Sequence, residues 1–346
     1  MNTCGSAPHR WPISRLCGAA AVCAATILAA ACSSETVPVA PSPPPAVAQP
    51  VQPEPAPIIP DGVLVGAADV AMCGAPEAEA TAKLLDGLPG TVFAAGDLAY
   101  PAGSARDFET CYEPTWGRHK RRTRPAPGNH DYQTLSGAPY YSYFGQNAGP
   151  AGLGYYSYRE GSWLVVSLNS NIAAGPASAQ AAWLRSTLAA NPAACTLAYW
   201  HHPLFTSGPN GTNAVMRDIW RILQEAGADV VISGHDHLYE RFAPQDASGR
   251  ADPIRGLRQF TVGTGGAHLY EAKSVAANSQ VIGSFHGVLK LTLKADSYDW
   301  QFIAIPGKSF GDFGNAQCHG DASRTDIGPS LTSFFRLPLD VVRPGA

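Results

Sequence analysis

Five short segments of this sequence carry side chains suited to holding metal ions. Gly234-His235-Asp236-His237 places two imidazoles at i and i+2 on a tight turn, where they can address two neighbouring cations. Gly128-Asn129-His130-Asp131, preceded by the rigid Pro125-Ala126-Pro127, sets an amide oxygen beside an imidazole. Gly96-Asp97-Leu98-Ala99-Tyr100 offers a carboxylate able to bridge two cations and, three residues on, a phenol. Tyr199-Trp200-His201-His202-Pro203 adds imidazoles, and Asp69 a further carboxylate. Each segment alone has an ordinary explanation: a strand-end Asp caps the next helix, and His130 or His202 can be a satisfied surface histidine. Their joint occurrence in this order is what points to one shared centre.

Apolar runs rich in β-branched residues lead into most of these segments. Val63-Leu64-Val65 precedes Asp69, Val92-Phe93-Ala94 precedes Asp97, Leu197-Ala198-Tyr199-Trp200 precedes His201, and Val230-Val231-Ile232 precedes His235. Helical periodicity over residues 77–88, 179–189 and 215–226 alternates with them, the pattern of an α/β fold. The metal-ligating candidates then fall at carboxyl ends of strands, where open α/β sheets place their sites. Residues 155–158 and 163–168 form a hairpin around Glu160-Gly161, and residues 259–262, 288–293 and 298–303 suggest further antiparallel strands. The simplest architecture is a sandwich of two sheets flanked by helices.

With 346 residues, 45% of them hydrophobic, the chain can bury a sizeable core. Its net charge is −3, and its one short run of like charge is Lys120-Arg121-Arg122, so nothing marks a nucleic-acid or anionic-membrane surface. A small substrate is the expected partner; the oligomeric state is not legible. His9, Arg10 and Arg15 form a basic lead to the apolar stretch 16–31, which reads as an export signal over residues 1–32. The junction Leu28-Ala29-Ala30-Ala31-Cys32 resembles a bacterial lipoprotein cleavage site, although Leu28 lies one place further from Cys32 than that pattern prefers. Cleavage by an ordinary signal peptidase at the Ala run is the alternative. The expected location is the periplasm, or the membrane facing the periplasm or exterior, with Cys32 as the lipid anchor. Residues 33–60, dominated by Pro, Ala and Val, read as an extended linker. A catalytic domain is expected over 61–305, with a C-terminal extension over 306–346. Four of the eight cysteines, Cys73, Cys111, Cys195 and Cys318, fall in the globular part or its extension. They permit two disulfides in any of three connectivities, or remain buried thiols.

Taken in order, Asp69, G-D-x-x-Y, G-N-H-D, x-x-H and G-H-x-H, the series resembles the calcineurin-like metallophosphoesterase superfamily, and more narrowly its purple acid phosphatase branch. The resemblance covers approximately residues 62–305. Asp69-Val70-Ala71 lacks the His that other branches carry two places after the first Asp, and Tyr100 supplies a phenolate instead. Leu238-Tyr239-Glu240-Arg241 and Val262-Gly263-Thr264-Gly265-Gly266 also resemble this branch. Ala68 and Ala71 stand where the family usually has Gly; alanine keeps the turn if its backbone angles are ordinary.

The resemblance implies a four-layer αββα sandwich of two mixed β-sheets flanked by helices. It also implies a first metal held by Asp69, Tyr100 and His237, a second held by Asn129, His201 and His235, and Asp97 bridging both. Hard anionic donors suit Fe(III) at the first position, and imidazole with amide oxygen suits divalent Fe, Zn or Mn at the second. The implied activity is hydrolysis of phosphate monoesters by hydroxide generated at the metal pair. His130 would protonate the leaving alcohol; His202 would do likewise or orient His201; Asp131 would partner His130 or cap the following turn. A phosphodiesterase with the same metals is the rival enzyme, and a surface-binding lipoprotein on a degenerate scaffold is the rival from another class. Arg121, Arg122 and Arg124 can meet phosphate or form a solvated face.

Overall fold

Strands and helices alternate through the first part of residues 60–320, which the computed structural model describes. The expected export signal with Cys32, the linker up to residue 59, and residues 321–346 lie outside the described residues. The chain opens with β1 (Gly62–Ala67), α1 (Glu77–Asp86), β2 (Thr91–Ala95), the short α2 (Ala105–Asp107) and β3 (Thr123–Ala126). There follow α3 (Asn129–Gln133), α4 (Ala138–Phe144) and the hairpin of β4 (Tyr156–Glu160) and β5 (Trp163–Ser167). Next come α5 (Ala179–Ala190), β6 (Thr196–Tyr199), α6 (Arg217–Glu225), β7 (Val230–Ser233), β8 (Tyr239–Phe242) and β9 (Arg258–Val262). The last four strands are β10 (Ser279–Gly283), β11 (Gly287–Leu293), β12 (Ser297–Ala304) and β13 (Gly311–Gln317).

Two mixed sheets result, one in the order β13-β12-β11-β1-β2-β3 and the other β10-β8-β9-β7-β6-β5-β4. In the first, β1, β2 and β3 are parallel, and β11 runs antiparallel to β1. In the second, β5, β6, β7 and β9 are parallel. The expected four-layer sandwich is therefore the observed one, with one correction of direction. Residues 258–262 form a strand antiparallel to β8 but parallel to β7, because β8 turns back and lets β9 extend the parallel set.

The apolar runs are continuous because β5, β6 and β7 are covered on both faces. Trp163, Val165, Leu197, Tyr199, Val230 and Ile232 belong to the core shared with the first sheet. Alternate residues Leu164, Val166, Ala198, Trp200 and Val231 pack instead with Leu184 of α5 and Ile219 and Trp220 of α6. Aromatic contacts knit the sheets together: Phe93 with Tyr199, Trp163 with Tyr298, and Tyr239 with Phe302. Each such burial contributes roughly 1.5–3 kcal/mol, so slippage by one residue, which would invert the faces, is strongly disfavoured.

The domain boundary expected at residue 305 falls too early. Strand β13 pairs along its whole length with β12, and Cys318 just beyond it is bonded to Cys195. The second bridge joins Cys73 to Cys111, so both disulfides form and one of the three connectivities is selected. Of the basic run, Arg122 is consumed structurally: its guanidinium donates to the carbonyls of Leu85, Leu88 and Gly90 behind α1. Arg124 donates to Asn147, and neither reaches the motifs that carry chemistry.

Candidate metal centre

Strand ends from both sheets meet at one rim. Asp69 follows β1, Asp97 follows β2, Asn129 begins α3 just after β3, His201 follows β6, and His235 and His237 follow β7. Three of these residues, Asp69, Asp97 and His235, take positive φ angles of 58°, 54° and 69°. Such angles are uncommon for residues with a Cβ and cluster where a turn must aim a side chain. Ala68 and Ala71 keep negative φ, which is why alanine is tolerated at those positions: the strained residue is Asp69 itself. Close packing seals the rim. Gly265 N–H donates to the Ala68 carbonyl and Ala267 N–H to that of Asp69, so the glycine-rich loop after β9 clamps the Asp69 turn. A Cβ at Gly128 would collide with the Asp97 backbone and carboxylate.

All seven expected ligands gather there. The Tyr100 hydroxyl donates to Asp69 Oδ1 at 2.9 Å and lies 3.1 Å from His237 Nε2, which is itself 3.2 Å from Asp69 Oδ1. Asp97 Oδ2 lies 3.3 Å from the same hydroxyl and 3.2 Å from His201 Nε2. His201 Nε2 is 3.1 Å from Asn129 Oδ1, and the His235 ring stands with its centroid 5.1 Å from that of His201. Two donors at right angles around one cation, each about 2.1 Å from it, are about 3 Å apart, so these separations suit ligands of common ions.

The outer atoms are equally committed. His201 Nδ1–H donates to the Ala95 carbonyl at 3.0 Å and His237 Nδ1–H to that of His268 at 2.6 Å, which leaves each Nε2 facing inward. Asp69 Oδ2 accepts the His235 amide at 2.8 Å, and Asp97 Oδ1 accepts the His130 amide at 2.7 Å. Each carboxylate therefore keeps one oxygen for the backbone and turns the other to the centre. Hard oxygens and imidazole nitrogens, fixed from behind and converging, are a donor set that fits two cations.

The electrostatics describe what loading must displace. Burial opposes charge on His201, but Asp97 and then Asp69 outweigh it and push the imidazole up to about 9. Burial, then Asp69 and Asp97, hold the Tyr100 phenol well above its ordinary range. Burial also opposes charge on Asp69, yet His237 and His201 keep its carboxyl well below the usual carboxylate range. Without cations, then, His201 carries a proton that balances the carboxylates. Loading at neutral pH should release protons from His201 and Tyr100, seen with an indicator dye in weak buffer. Apparent affinity should weaken by up to roughly a hundredfold per pH unit as pH falls below the His201 value, about tenfold for each proton released. Loading without proton release would contradict this arrangement.

The expected acid–base residues divide. His130 Nδ1–H donates to the Pro101 carbonyl at 2.5 Å, its ring lies over Tyr100 at 4.5 Å, and Nε2 sits 3.9 Å from Asp97 Oδ2. Its side chain is about a third exposed at 31%. His202 packs against His235, ring centroids 4.4 Å apart, and makes no hydrogen bond to His201. Burial first, then His201 and His235, keep it neutral. Ser170 Oγ accepts the His202 amide at 3.1 Å and hydrogen-bonds the ring through Nδ1 at 2.8 Å, which leaves Nε2 as the free ring nitrogen. Asp131 does not partner His130. Fully buried, it accepts from Gly128 N–H at 2.9 Å and Leu98 N–H at 3.0 Å, which caps α3 and ties it to the Asp97 turn.

Ser170 escapes sequence reasoning, although the polar triplet Asn169-Ser170-Asn171 directly after β5 was a usable signal. Asp236 is a second such residue: it accepts from Thr206 at 2.6 Å and from Asn210 N–H at 3.0 Å, anchoring the loop that follows His201. Tyr270, whose ring stacks on His237 at 4.1 Å and 8°, is a third.

Residues 68–239 match the calcineurin-like phosphoesterase family. The chain carries a calcineurin-like metallophosphoesterase domain, and that family has a dinuclear metal centre. Among solved structures it is similar to the purple acid phosphatase PPD1 from yellow lupin (Lupinus luteus) seeds, with 19% identity and a TM-score of 0.63. That likeness covers 75% of this chain and 54% of the lupin one, so this chain spans about half the length of that protein. It is also similar to GAP50, the anchor in the inner membrane complex of Plasmodium, with 14% identity, TM-score 0.59, and coverage of 77% and 90%. A dimetal phosphatase from Danio rerio matches with 12% identity, TM-score 0.52, and coverage of 73% and 98%. At these identities the likeness is one of fold. No curated protein matches.

Proposed function

We propose that this chain is an exported hydrolase of phosphate monoesters that works with two metal ions. Asp69, Tyr100 and His237 would hold one, Asn129, His201 and His235 the other, and Asp97 both. The observation that carries this reading is the convergence of strand ends from two sheets on one spot, with oxygen and nitrogen donors 2.9–3.3 Å apart. Bound there, the two cations supply Lewis acidity, neutralise phosphoryl charge and lower the pKa of water.

The remaining work falls to the chain's own side chains. His130, fixed through Nδ1 and open to solvent, holds a proton on Nε2 for the departing alcohol oxygen. With the Ser170 hydroxyl donating to Nδ1, a neutral His202 would offer its Nε2–H as a hydrogen-bond donor to a phosphoryl oxygen. Asn129 brings an amide oxygen whose position is set by the Gly128 turn. The lupin and zebrafish phosphatases support the choice of phosphatase chemistry. The basic and apolar N-terminal stretch, together with two disulfides, supports export. A non-catalytic, surface-binding lipoprotein on a degenerate scaffold is disfavoured because all seven donor positions hold competent groups.

Fe(III) is the proposed occupant beside Tyr100, and a divalent ion beside His201. Purified protein should then show a broad visible charge-transfer band that Tyr100→Phe abolishes; a band that survives the substitution would overturn the assignment of the tyrosine. In the same preparation, a monoester should be hydrolysed with a kcat/KM about tenfold or more above that of the diester of the same leaving alcohol. Preference for the diester would favour the phosphodiesterase reading.

A further inference from the structure

A cavity of about 450 Å³ opens directly beside the metal centre, on the side of Tyr100 and His237. Its walls come from separate loops: Met72 after β1, Tyr100 and Pro101 after β2, His130 on α3, His237 after β7 and Tyr270 before β10. None of its lining residues is Asp, Glu, Lys or Arg. Its polar groups are three imidazoles, of His130, His237 and His268, and two phenol hydroxyls, and the rest of the lining is thioether, pyrrolidine, Cys73 and aromatic faces, a surface richer in ring faces than in polar atoms.

The wall is flat and rigid as well as rich in rings. Tyr270 lies nearly parallel to the His237 imidazole, 8° from coplanar with centroids 4.1 Å apart. Its backbone is held on both sides, N–H donating to the His237 carbonyl at 2.8 Å and C=O accepting from Ser284 Oγ at 2.6 Å. The Tyr270 hydroxyl makes no hydrogen bond within the described residues, and the residue is half-buried at the cavity wall. Met72 adds a polarisable sulfur, which packs well against ring edges. His130 lines this cavity and also faces Asp97, so the cavity begins where a departing oxygen would collect its proton.

The geometry points to this cavity as the subsite for the leaving alcohol, and to an alcohol carrying an aromatic ring as what it takes. Its volume accommodates one ring with short substituents, with a planar face toward Tyr270 or Tyr100. Tyr270 and Met72 become specificity-determining residues, and Tyr270 also braces a metal ligand from behind. The assignment rests on the phosphatase reading for the word leaving, but the preference for an aryl group can be measured without turnover.

Calorimetric titration of metal-loaded protein with phenylphosphonate and methylphosphonate isolates the ring, because the two share one head group. Phenylphosphonate should bind at least about tenfold more tightly. Tyr270→Ala and Met72→Asp should each cut that ratio to about threefold or less, whereas Tyr270→Phe should preserve it. Equal affinities in the wild type, or a ratio that both disruptive variants leave intact, overturn the subsite. If both affinities fall together in Tyr270→Ala, the tyrosine only braces His237 and the proposal also fails. Hydrolysis of 2-phenylethyl phosphate against ethyl phosphate, which have similar leaving oxygens, should show the same preference in kcat/KM. Should no ester be turned over while the phosphonate ratio behaves as expected, the aryl subsite stands and the hydrolase reading falls.

Discussion

Asp97→Asn should lower kcat/KM by about 10³-fold or more while leaving the fold intact. The side chain sits where both halves of the donor set meet: Oδ1 accepts the His130 amide, and Oδ2 faces Tyr100 and His201. Asparagine has the same shape, and its amide oxygen can accept from His130 N–H. Its NH2 group must then point at the centre, presenting hydrogens where a lone pair and a negative charge are needed. Metal analysis should therefore show depleted cations, and the rise in Tm that added metal gives the wild type should vanish, since ligand stabilisation follows occupancy. Asp131, buried beside Asp97, is pushed up to about 7 by its burial and then by that neighbour. An acid raised in the folded state favours folding at low pH, and its contribution is lost as pH rises through the folded value. Removing the Asp97 charge relaxes that penalty, so the metal-free variant should also lose less stability than wild type on going from pH 5 to about 8. Full metal content with near-normal turnover in Asp97→Asn would dismantle the proposed centre.

The donor residues were legible because each lies within a few residues of a strand end, in a contiguous motif whose order along the chain is itself information. Asp69, Asp97 and His235 share a further property that residue type does not reveal, the left-handed backbone that turns their side chains inward. Residues that act on these donors from a distance were not legible. Ser170 reaches His202 across 32 residues and Tyr270 reaches His237 across 33, and no local periodicity encodes such pairings. Asp131 shows the limit from the other side. Adjacent in sequence to His130, it was open equally to pairing with that imidazole and to capping the following turn, and two backbone amides in a buried turn decide for the cap. Architecture divided similarly. Strands covered on both faces announce themselves as apolar runs, whereas β13, an edge strand of sequence Gly311-Asp312-Phe313-Gly314-Asn315-Ala316-Gln317, has too few apolar residues to be seen. The direction of β9 depends on β8 turning back before it, and side-chain pattern carries no sign for parallel or antiparallel pairing.

The double variant Cys195→Ser, Cys318→Ser should lose about 5 kcal/mol of unfolding free energy. The bridge closes a loop of 123 residues, and in the chain-entropy account a longer loop constrains the unfolded ensemble more. It also closes the fold, since Cys195 immediately precedes β6 in one sheet and Cys318 immediately follows β13 at the edge of the other. Asp229 reinforces the join by accepting from Thr196 N–H at 2.8 Å and His319 N–H at 2.6 Å. With a urea slope of about 3 kcal/mol/M, the midpoint should fall by roughly 1.5 M. The chemistry should not follow. Cys195 lies at the opposite end of β6 from His201, so the metal centre keeps its geometry below the unfolding transition, and kcat at 25 °C should stay within about twofold of wild type. The intact Cys73–Cys111 bridge, four residues beyond Asp69, remains to hold the loop at the centre's own rim. A midpoint shift worth less than about 1 kcal/mol would mean that the hydrogen bonds of Asp229 and the β12–β13 pairing already restrain this end of the sandwich without the covalent link.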